Sequence, residues 1–126
     1  MKISDPASVP PETWRLGLET RMLVSALSGA AAVHLRAMAR HRRRRADACA
    51  PVEEVFTVRE GEAEMWIAGE RAIVTSGQSL IVAAGRLHGF RNCGTTTLHL
   101  HAVLASPILE ATIEGAAEVT RQWPQD

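Results

Sequence analysis

Two histidines near the C-terminal end of the sequence, His99 and His101, have a spacing that could serve metal binding. They stand two residues apart, and side chains two apart on a β-strand share one face. The residues that alternate with them are Leu98, Leu100, Ala102 and Leu104. Because the more apolar face of a strand turns toward the core, we expect Leu100 and Ala102 inside and both histidines outside.

A second alternating stretch surrounds His34. The composition of residues 21–45, rich in Ala, Leu, Met and Arg, favours a helix. However, apolar residues alternate with His34 and Arg36 at the period of a strand. These residues alone leave the choice open. If the stretch is a strand, the same argument places Leu35 inside and His34 outside.

The run Arg40–Arg45 contains five arginines in six residues and could bind the phosphates of a nucleic acid or another anion. The alternative is a solvated loop that faces acidic residues such as Glu60, Glu62 and Glu64. No aromatic residues interleave with the run for base stacking, and acids and bases balance at fourteen each over the chain. We therefore do not expect nucleic-acid binding.

The overall composition is that of one globular domain. The chain has 126 residues, of which 46% are hydrophobic and 22% are charged, and this excludes an intrinsically disordered chain. Two cysteines are too few for a disulfide framework. No apolar run is long enough for a membrane helix, and the first residues do not resemble a secretion signal. We expect a cytoplasmic protein without a membrane partner.

Regularly spaced glycines indicate an all-β fold. They stand at positions 61, 69, 77 and 85, and short apolar runs lie between them. Several short strands at such spacing are typical of a β-sandwich or barrel. Gly69-Glu70 lies between two apolar runs, as in a tight hairpin.

One segment carries a specific motif. Gly77, Gly85, His88 and Asn92 have the spacing G-x5-P-x-G-x2-H-x3-N, except that Ala83 stands where proline is usual. This segment resembles the second motif of the cupin family. Upstream, Glu54 to Gly61 is similar to the end of the first cupin motif. The resemblance implies a double-stranded β-helix, the jelly-roll barrel of small single-domain cupins, and it favours a strand at residues 31–40.

The first cupin motif is incomplete in this chain. Its two metal-binding histidines would fall at Ala48 and Ala50, which leaves only Glu54 and His88 of the four ligands that the resemblance implies. An alanine methyl has no lone pair, and catalytic zinc sites usually keep three protein ligands. We therefore expect no metal cofactor; a divalent transition metal is the alternative, with Glu54 and His88 as residual ligands. Restoring both histidines is expected to recreate a four-ligand site.

Glu54 and His88 are the candidate catalytic residues. They are either a relict hydrogen-bonded pair that orients a ligand or a general acid–base pair in a cavity of low dielectric constant. Phe56 and Phe90 stand two residues after Glu54 and His88, so each shares a strand face with its site residue. With Leu100 and Ala102 from the apolar face of the later strand, they are the candidate pocket residues. All four fit plain core packing equally well.

The resulting hypothesis is a cupin barrel that binds a small polar or aromatic molecule in its cavity. The alternatives are a metal-dependent oxygenase or isomerase with unusual ligands, and a metal-free acid–base isomerase. We divide the chain into an N-terminal arm at 1–24, a barrel at 25–107 and a tail at 108–126. Because small cupins commonly form homodimers, the resemblance also implies a dimer in which residues 13–24 join the partner's sheet.

Overall fold

The part of the chain that the structure describes forms two six-stranded sheets. The computed structural model describes residues 1–13, 18–41, 46–107, 109–113 and 121–123. Its strands are β1 (Glu12–Thr13), β2 (Glu19–Val24), β3 (His34–Arg40), β4 (Ala46–Cys49), β5 (Glu54–Glu60), β6 (Glu62–Ile67), β7 (Glu70–Thr75), β8 (Ser79–Val82), β9 (His88–Asn92), β10 (Leu98–Leu104), β11 (Leu109–Ile113) and β12 (Arg121–Trp123). Short 3-10 turns at Pro6–Ser8 and Ala26–Ser28 are the described helical segments.

The strand order is that of a double-stranded β-helix. Sheet A has the order β1-β2-β3-β10-β5-β8, and sheet B has the order β12-β11-β4-β9-β6-β7. All described pairings are antiparallel. From β3 onward the chain repeatedly crosses from one sheet to the other. This confirms the predicted all-β jelly roll and the strand in residues 31–40.

The core lies between the inner faces of the two sheets. Sheet A contributes Phe56, Val58 and Leu100, and sheet B contributes Met65 and Phe90, all of them buried. Strand β10 alternates as the sequence predicts, with its leucines and Ala102 inside and His99 exposed. Period-two burial of this kind fixes the register of β10 against both neighbouring strands.

Strand β3 alternates in the opposite sense to the prediction. His34 is fully buried, at 0% exposure, whereas Leu35 is only half-buried. The expectation that Leu35 lies inside and His34 outside is therefore wrong. The reason is register: His34 pairs with Leu104 and Arg36 with Ala102, two inward residues of β10. Directly paired residues share a face, so the polar set of β3 faces the barrel interior.

The arginine run begins inside the barrel rather than on a loop. Arg40 is the last residue of β3 and is completely buried. The side-chain amide of Asn92 donates to the carbonyl oxygens of Arg40, at 3.0 Å, and Thr96, at 2.7 Å. Asn92 thus fixes the turn that precedes β10. Residues 42–45 lie outside the described residues.

The regularly spaced glycines predicted strands because they occupy the turns between them, as Gly61 and Gly69 show. Ala68 and Gly69 both have positive φ angles, 48° and 89°, and connect β6 to β7 in a tight hairpin. Gly61 has φ 86°, and a Cβ atom there would lie 3.0 Å from the carbonyl oxygen of Thr97. A side chain at position 61 would therefore meet backbone as well as an unfavourable conformation.

The segments outside residues 25–107 also contribute strands. β2, from the predicted arm, pairs with β3 of the same chain, and its Thr20 and Leu23 are buried. β11 pairs with β4, and β12 pairs with β11. Exchange of residues 13–24 between two chains remains a prediction.

Candidate functional site

Glu54 is the central residue of the candidate site. It is the first residue of β5, where it pairs with the inward residues Leu104 and Val82. Its side chain is only 2% exposed. A carboxylate removed from water in this way needs charged or hydrogen-bonding partners, and two neighbouring side chains provide them.

His88 is the first of these partners. Its Nε2 atom lies 3.2 Å from Oε1 of Glu54, and its Nδ1 atom lies 3.1 Å from the carbonyl oxygen of Arg86. Since a carbonyl oxygen only accepts, Nδ1 carries a proton and donates it to that oxygen. The backbone therefore fixes the ring orientation and directs Nε2 at the carboxylate.

Arg36 is the second partner, and the sequence analysis did not identify it. Its side chain rises from β3, is 8% exposed, and forms an ion pair through Nη2 with Oε2 of Glu54. The side chain reaches Glu54 from two strands away, because β10 lies between β3 and β5. The sequence pattern that could have identified Arg36 is its position two residues after His34, which places both side chains on one face of the strand. The sequence alone favours the outside for that face, because the more apolar face of a strand usually lies in the core.

These two partners keep Glu54 ionised. Burial alone would raise the pKa of the Glu54 carboxyl, but the Arg36 guanidinium and the His88 imidazole beside it more than offset burial. Their combined effect lowers the pKa of Glu54 below its ordinary value of 4.5. The interior thus contains a carboxylate with a guanidinium on one oxygen and an imidazole on the other.

Ala48 and Ala50 lie beside this group. Ala48 on β4 pairs directly with His88 on β9, so the two residues share the inner face of sheet B. Ala50 is buried and packs with Leu104 in a small apolar cluster, against which Met22 and Val52 also pack. Positions 48 and 50 are those at which the resemblance to the first cupin motif places the two metal-binding histidines.

Of the four metal ligands that the resemblance to cupins implies, this site contains Glu54 and His88. Among the described residues, no group of three or more His, Cys, Asp or Glu side chains is arranged to hold one. Glu54 and His88 offer two donors, the two alanines offer none, and a permanently charged guanidinium already contacts the carboxylate. A metal at this position would have few ligands and a cation next to it.

The four predicted pocket residues belong to the core that supports the site. Phe56, Phe90, Leu100 and Ala102 are all buried in one apolar cluster. The Phe56 ring contacts a site residue, because its centroid lies 5.5 Å from that of the His88 ring. Ala102 is the residue on β10 that pairs with both Arg36 and Phe56. Its small side chain leaves room above it on the inner face.

His99 and His101 lie on the opposite, outer face of sheet A. They border a surface groove of about 310 Å³, together with Glu19 and Glu60 and above a floor that includes Ala37. Burial and the nearby Arg59 lower the pKa of His101. The structure therefore does not bring these histidines to Glu54 and His88.

Comparison with solved structures identifies the class of this fold. The polyketide cyclase RemF from Streptomyces resistomycificus superposes with a TM-score of 0.75 over 97% of this chain and 83% of that chain, at 19% identity. An RmlC-like cupin from Shewanella frigidimarina superposes with a TM-score of 0.72 over 85% of this chain and 91% of that chain, at 20% identity. A predicted oxalate decarboxylase from Thermotoga maritima also has a TM-score of 0.72, over 83% of this chain and 99% of that chain, at 19% identity. At these identities the likeness concerns the fold alone.

The sequence supports the same assignment. Residues 48–104, from Ala48 through both motifs to the end of β10, match the family model described as Cupin domain. This match and the structural likeness together support a small cupin-domain protein. No curated protein sequence matches it. No helix in the described part of the chain has the length and hydrophobicity needed to cross a membrane.

Proposed function

We propose that this protein is a cupin barrel that binds a small molecule at Glu54 and His88, and that it does so without a transition metal. The observation that carries the proposal is the buried contact between Glu54 and both His88 and Arg36. Strongly perturbed, buried ionisable groups cluster at functional sites. The known structures of this fold include a polyketide cyclase and a salicylate 1,2-dioxygenase in complex with gentisate, which agrees with a ligand of small size.

The surroundings of the site suggest the chemistry of the ligand. The imidazole and carboxylate favour a molecule with hydroxyl or carbonyl groups, which can exchange hydrogen bonds with both. The Phe56 ring beside His88 offers an apolar surface next to these polar groups. A small polar or aromatic molecule would use both features.

A thermal-shift screen tests this proposal. Small hydroxylated, carboxylated and phenolic compounds would be tested with a chelator present, on the parent and on Glu54→Gln, His88→Gln and the outer-face control His99→Gln. A compound at one hundred times its Kd stabilises a protein by about 2.7 kcal/mol. We expect stabilisation of the parent and the control only. A compound that stabilises all four proteins equally would refute binding at Glu54 and His88.

Acid–base catalysis is a second candidate, and the orientation of the His88 ring favours it. Because Nδ1 donates to the Arg86 carbonyl oxygen, Nε2, which lies beside the Glu54 carboxylate, is the ring nitrogen left to exchange a proton with a ligand. In an isomerisation, Nε2 would take a proton from one atom of the ligand and return it to another.

Hydrogen exchange tests this second candidate. A ligand found in the screen would be incubated with the protein in D2O and followed by NMR. Loss of a carbon-bound proton signal with the parent, but not with His88→Gln, is the expected result for catalysis. A ligand that binds at the site and exchanges no proton supports the binding function alone.

The metal content of the purified protein tests the metal-dependent alternative directly. We expect well under one equivalent of any transition metal, because two of the family's ligands are alanines. The measurement is elemental analysis of protein purified without a histidine tag. Near-stoichiometric iron, manganese, nickel or zinc that survives dialysis against a mild chelator would contradict a metal-free site.

A further inference from the structure

The barrel interior contains a negative charge that must be balanced. Glu54 is almost completely shielded from solvent, and the cost of desolvating an ionised carboxylate is large unless a cation contacts it. The resemblance to cupins implies a metal ion as the cation at this position. In this chain the cation in contact with Glu54 is the guanidinium of Arg36.

We propose that Arg36 takes the place of the metal ion as the interior cation of this barrel and thereby excludes divalent metals from it. The inference rests on the proposed metal-free function and adds its physical cause. The chain itself supplies the positive charge, so the charge balance of the site does not depend on metal supply. A guanidinium also keeps its charge at every pH at which the protein is folded.

The geometry of sheet A allows this substitution. Arg36 on β3 pairs with Ala102 on β10, which pairs in turn with Phe56 on β5, two residues beyond Glu54. Because Ala102 has only a methyl group, the arginine side chain can extend over it toward β5. The contact with Glu54 spans three strands of the same sheet and uses the inner face alone.

The alanines of the first motif fit the same arrangement. Ala48 lies opposite His88, and Ala50 is buried nearby. Two imidazoles at these positions would add ligands and bulk around the carboxylate that the guanidinium now contacts. A divalent cation close to Arg36 would meet a like charge in a medium of low dielectric constant. Alanine at positions 48 and 50 and arginine at position 36 therefore fit one and the same arrangement of the site.

This inference alters the expected result of restoring the histidines. The sequence alone predicts that Ala48→His with Ala50→His recreates a four-ligand site. With Arg36 present, we expect this double variant to bind metal no more tightly than the parent. Adding Arg36→Met, which keeps an unbranched aliphatic stem and removes the charge, should increase the affinity at least about 100-fold, because the repulsion between like charges is removed.

Cobalt titration measures the effect. Co²⁺ would be added to the parent, to Ala48→His/Ala50→His, and to the same variant carrying Arg36→Met, and binding would be followed by the visible absorbance of the bound ion and by calorimetry. Arg36→Lys in the two-histidine background is the matched control, because it keeps the charge. Tight, stoichiometric binding by the two-histidine variant that retains Arg36 would overturn the proposal.

A stability cycle covers the case in which the triple variant does not fold. Arg36→Met, Glu54→Gln and the double substitution would be compared with the parent by urea unfolding. If Arg36 neutralises Glu54, the double variant should be more stable than Arg36→Met alone, because no unpaired charge stays buried. Additive losses would overturn the proposal. Neither experiment uses a small-molecule ligand, so failure of the ligand screen and failure of this inference are distinguishable.

Discussion

Strands β3 and β10 are neighbours with nearly the same alternating sequence pattern, but they turn residues of opposite polarity toward the barrel interior. Both alternate small or apolar residues with histidine or arginine, and they pair over seven residues without a break. β10 turns Leu100 and Ala102 inward, whereas β3 turns His34 and Arg36 inward. The difference shows that a polar face is buried where the surrounding residues supply partners for it, here the Glu54 carboxylate on β5 and the Ser106 carbonyl oxygen after β10.

The largest change would follow from removing the strand that flanks β3. Deleting residues 1–24 removes β2 together with the buried Leu18 and Leu23, whereas β10 keeps both of its neighbours. We expect an aggregated chain or an unstable monomer, since β3 becomes an exposed edge. Sedimentation and thermal unfolding of the truncated and full-length chains make the comparison. A truncated protein that is as stable as the parent and dimeric would rule out both the structural role and strand exchange.

Removing the Arg36 charge from the inner face of β3 should lower the free energy of unfolding by more than a typical substitution does. Arg36→Met leaves the Glu54 carboxylate buried beside His88 alone, and breaking a buried pair costs about 3–5 kcal/mol. Urea unfolding of the parent and the variant gives the difference. A loss below about 1 kcal/mol would mean that water reaches Glu54 and that β3 does not bury a true ion pair.

The apolar face of β10 should respond as ordinary core does. Leu100 is 1% exposed, and Leu100→Ala should lower the free energy of unfolding by about 2–5 kcal/mol, because the lost contacts leave a cavity. The same unfolding measurement applies. A much smaller loss would indicate that the core collapses around the alanine or that β10 is less tightly packed than its burial implies.

Acidification should weaken the ion pair between Arg36 of β3 and Glu54. Because the pKa of Glu54 is lower in the folded than in the unfolded protein, its ion pair stabilises the fold above the ordinary value of 4.5. That stabilisation is lost as the pH falls through the folded pKa. Unfolding free energies of the parent and Glu54→Gln, measured from pH 7 to 3, should converge toward low pH. A constant difference would show that the Glu54 charge does not contribute.

The smallest effect is expected on the outer face of β10. His99 is exposed, and its Nε2 atom lies 3.9 Å from Glu60, a long contact between solvated groups. His99→Gln should change the free energy of unfolding by less than about 0.5 kcal/mol. A loss comparable to that of Leu100→Ala would mean that the two faces of β10 are assigned the wrong way round.

Local sequence determined the fold class and the positions of two site residues. The glycines at 61, 69, 77 and 85 adopt positive φ angles, and turns of this kind depend on the residue itself. The motif around His88 and the glutamate at position 54 identified the cupin domain because their spacing is specific. The alternation of β10 also gave its inner face, since one of its faces is strongly apolar.

Tertiary structure decided the chemistry of the interior. Nothing local to His34 or Arg36 shows that they face inward, because their strand has apolar residues on the other face as well. The face on which their side chains lie depends on the register of β3 with β10. Burial of the Arg36 charge is tolerated because Glu54, eighteen residues away in the sequence and two strands away in the sheet, pairs with it. A buried charge is stable only with its partner, and partners that are distant in the sequence become neighbours only when β3, β10 and β5 pair into one sheet.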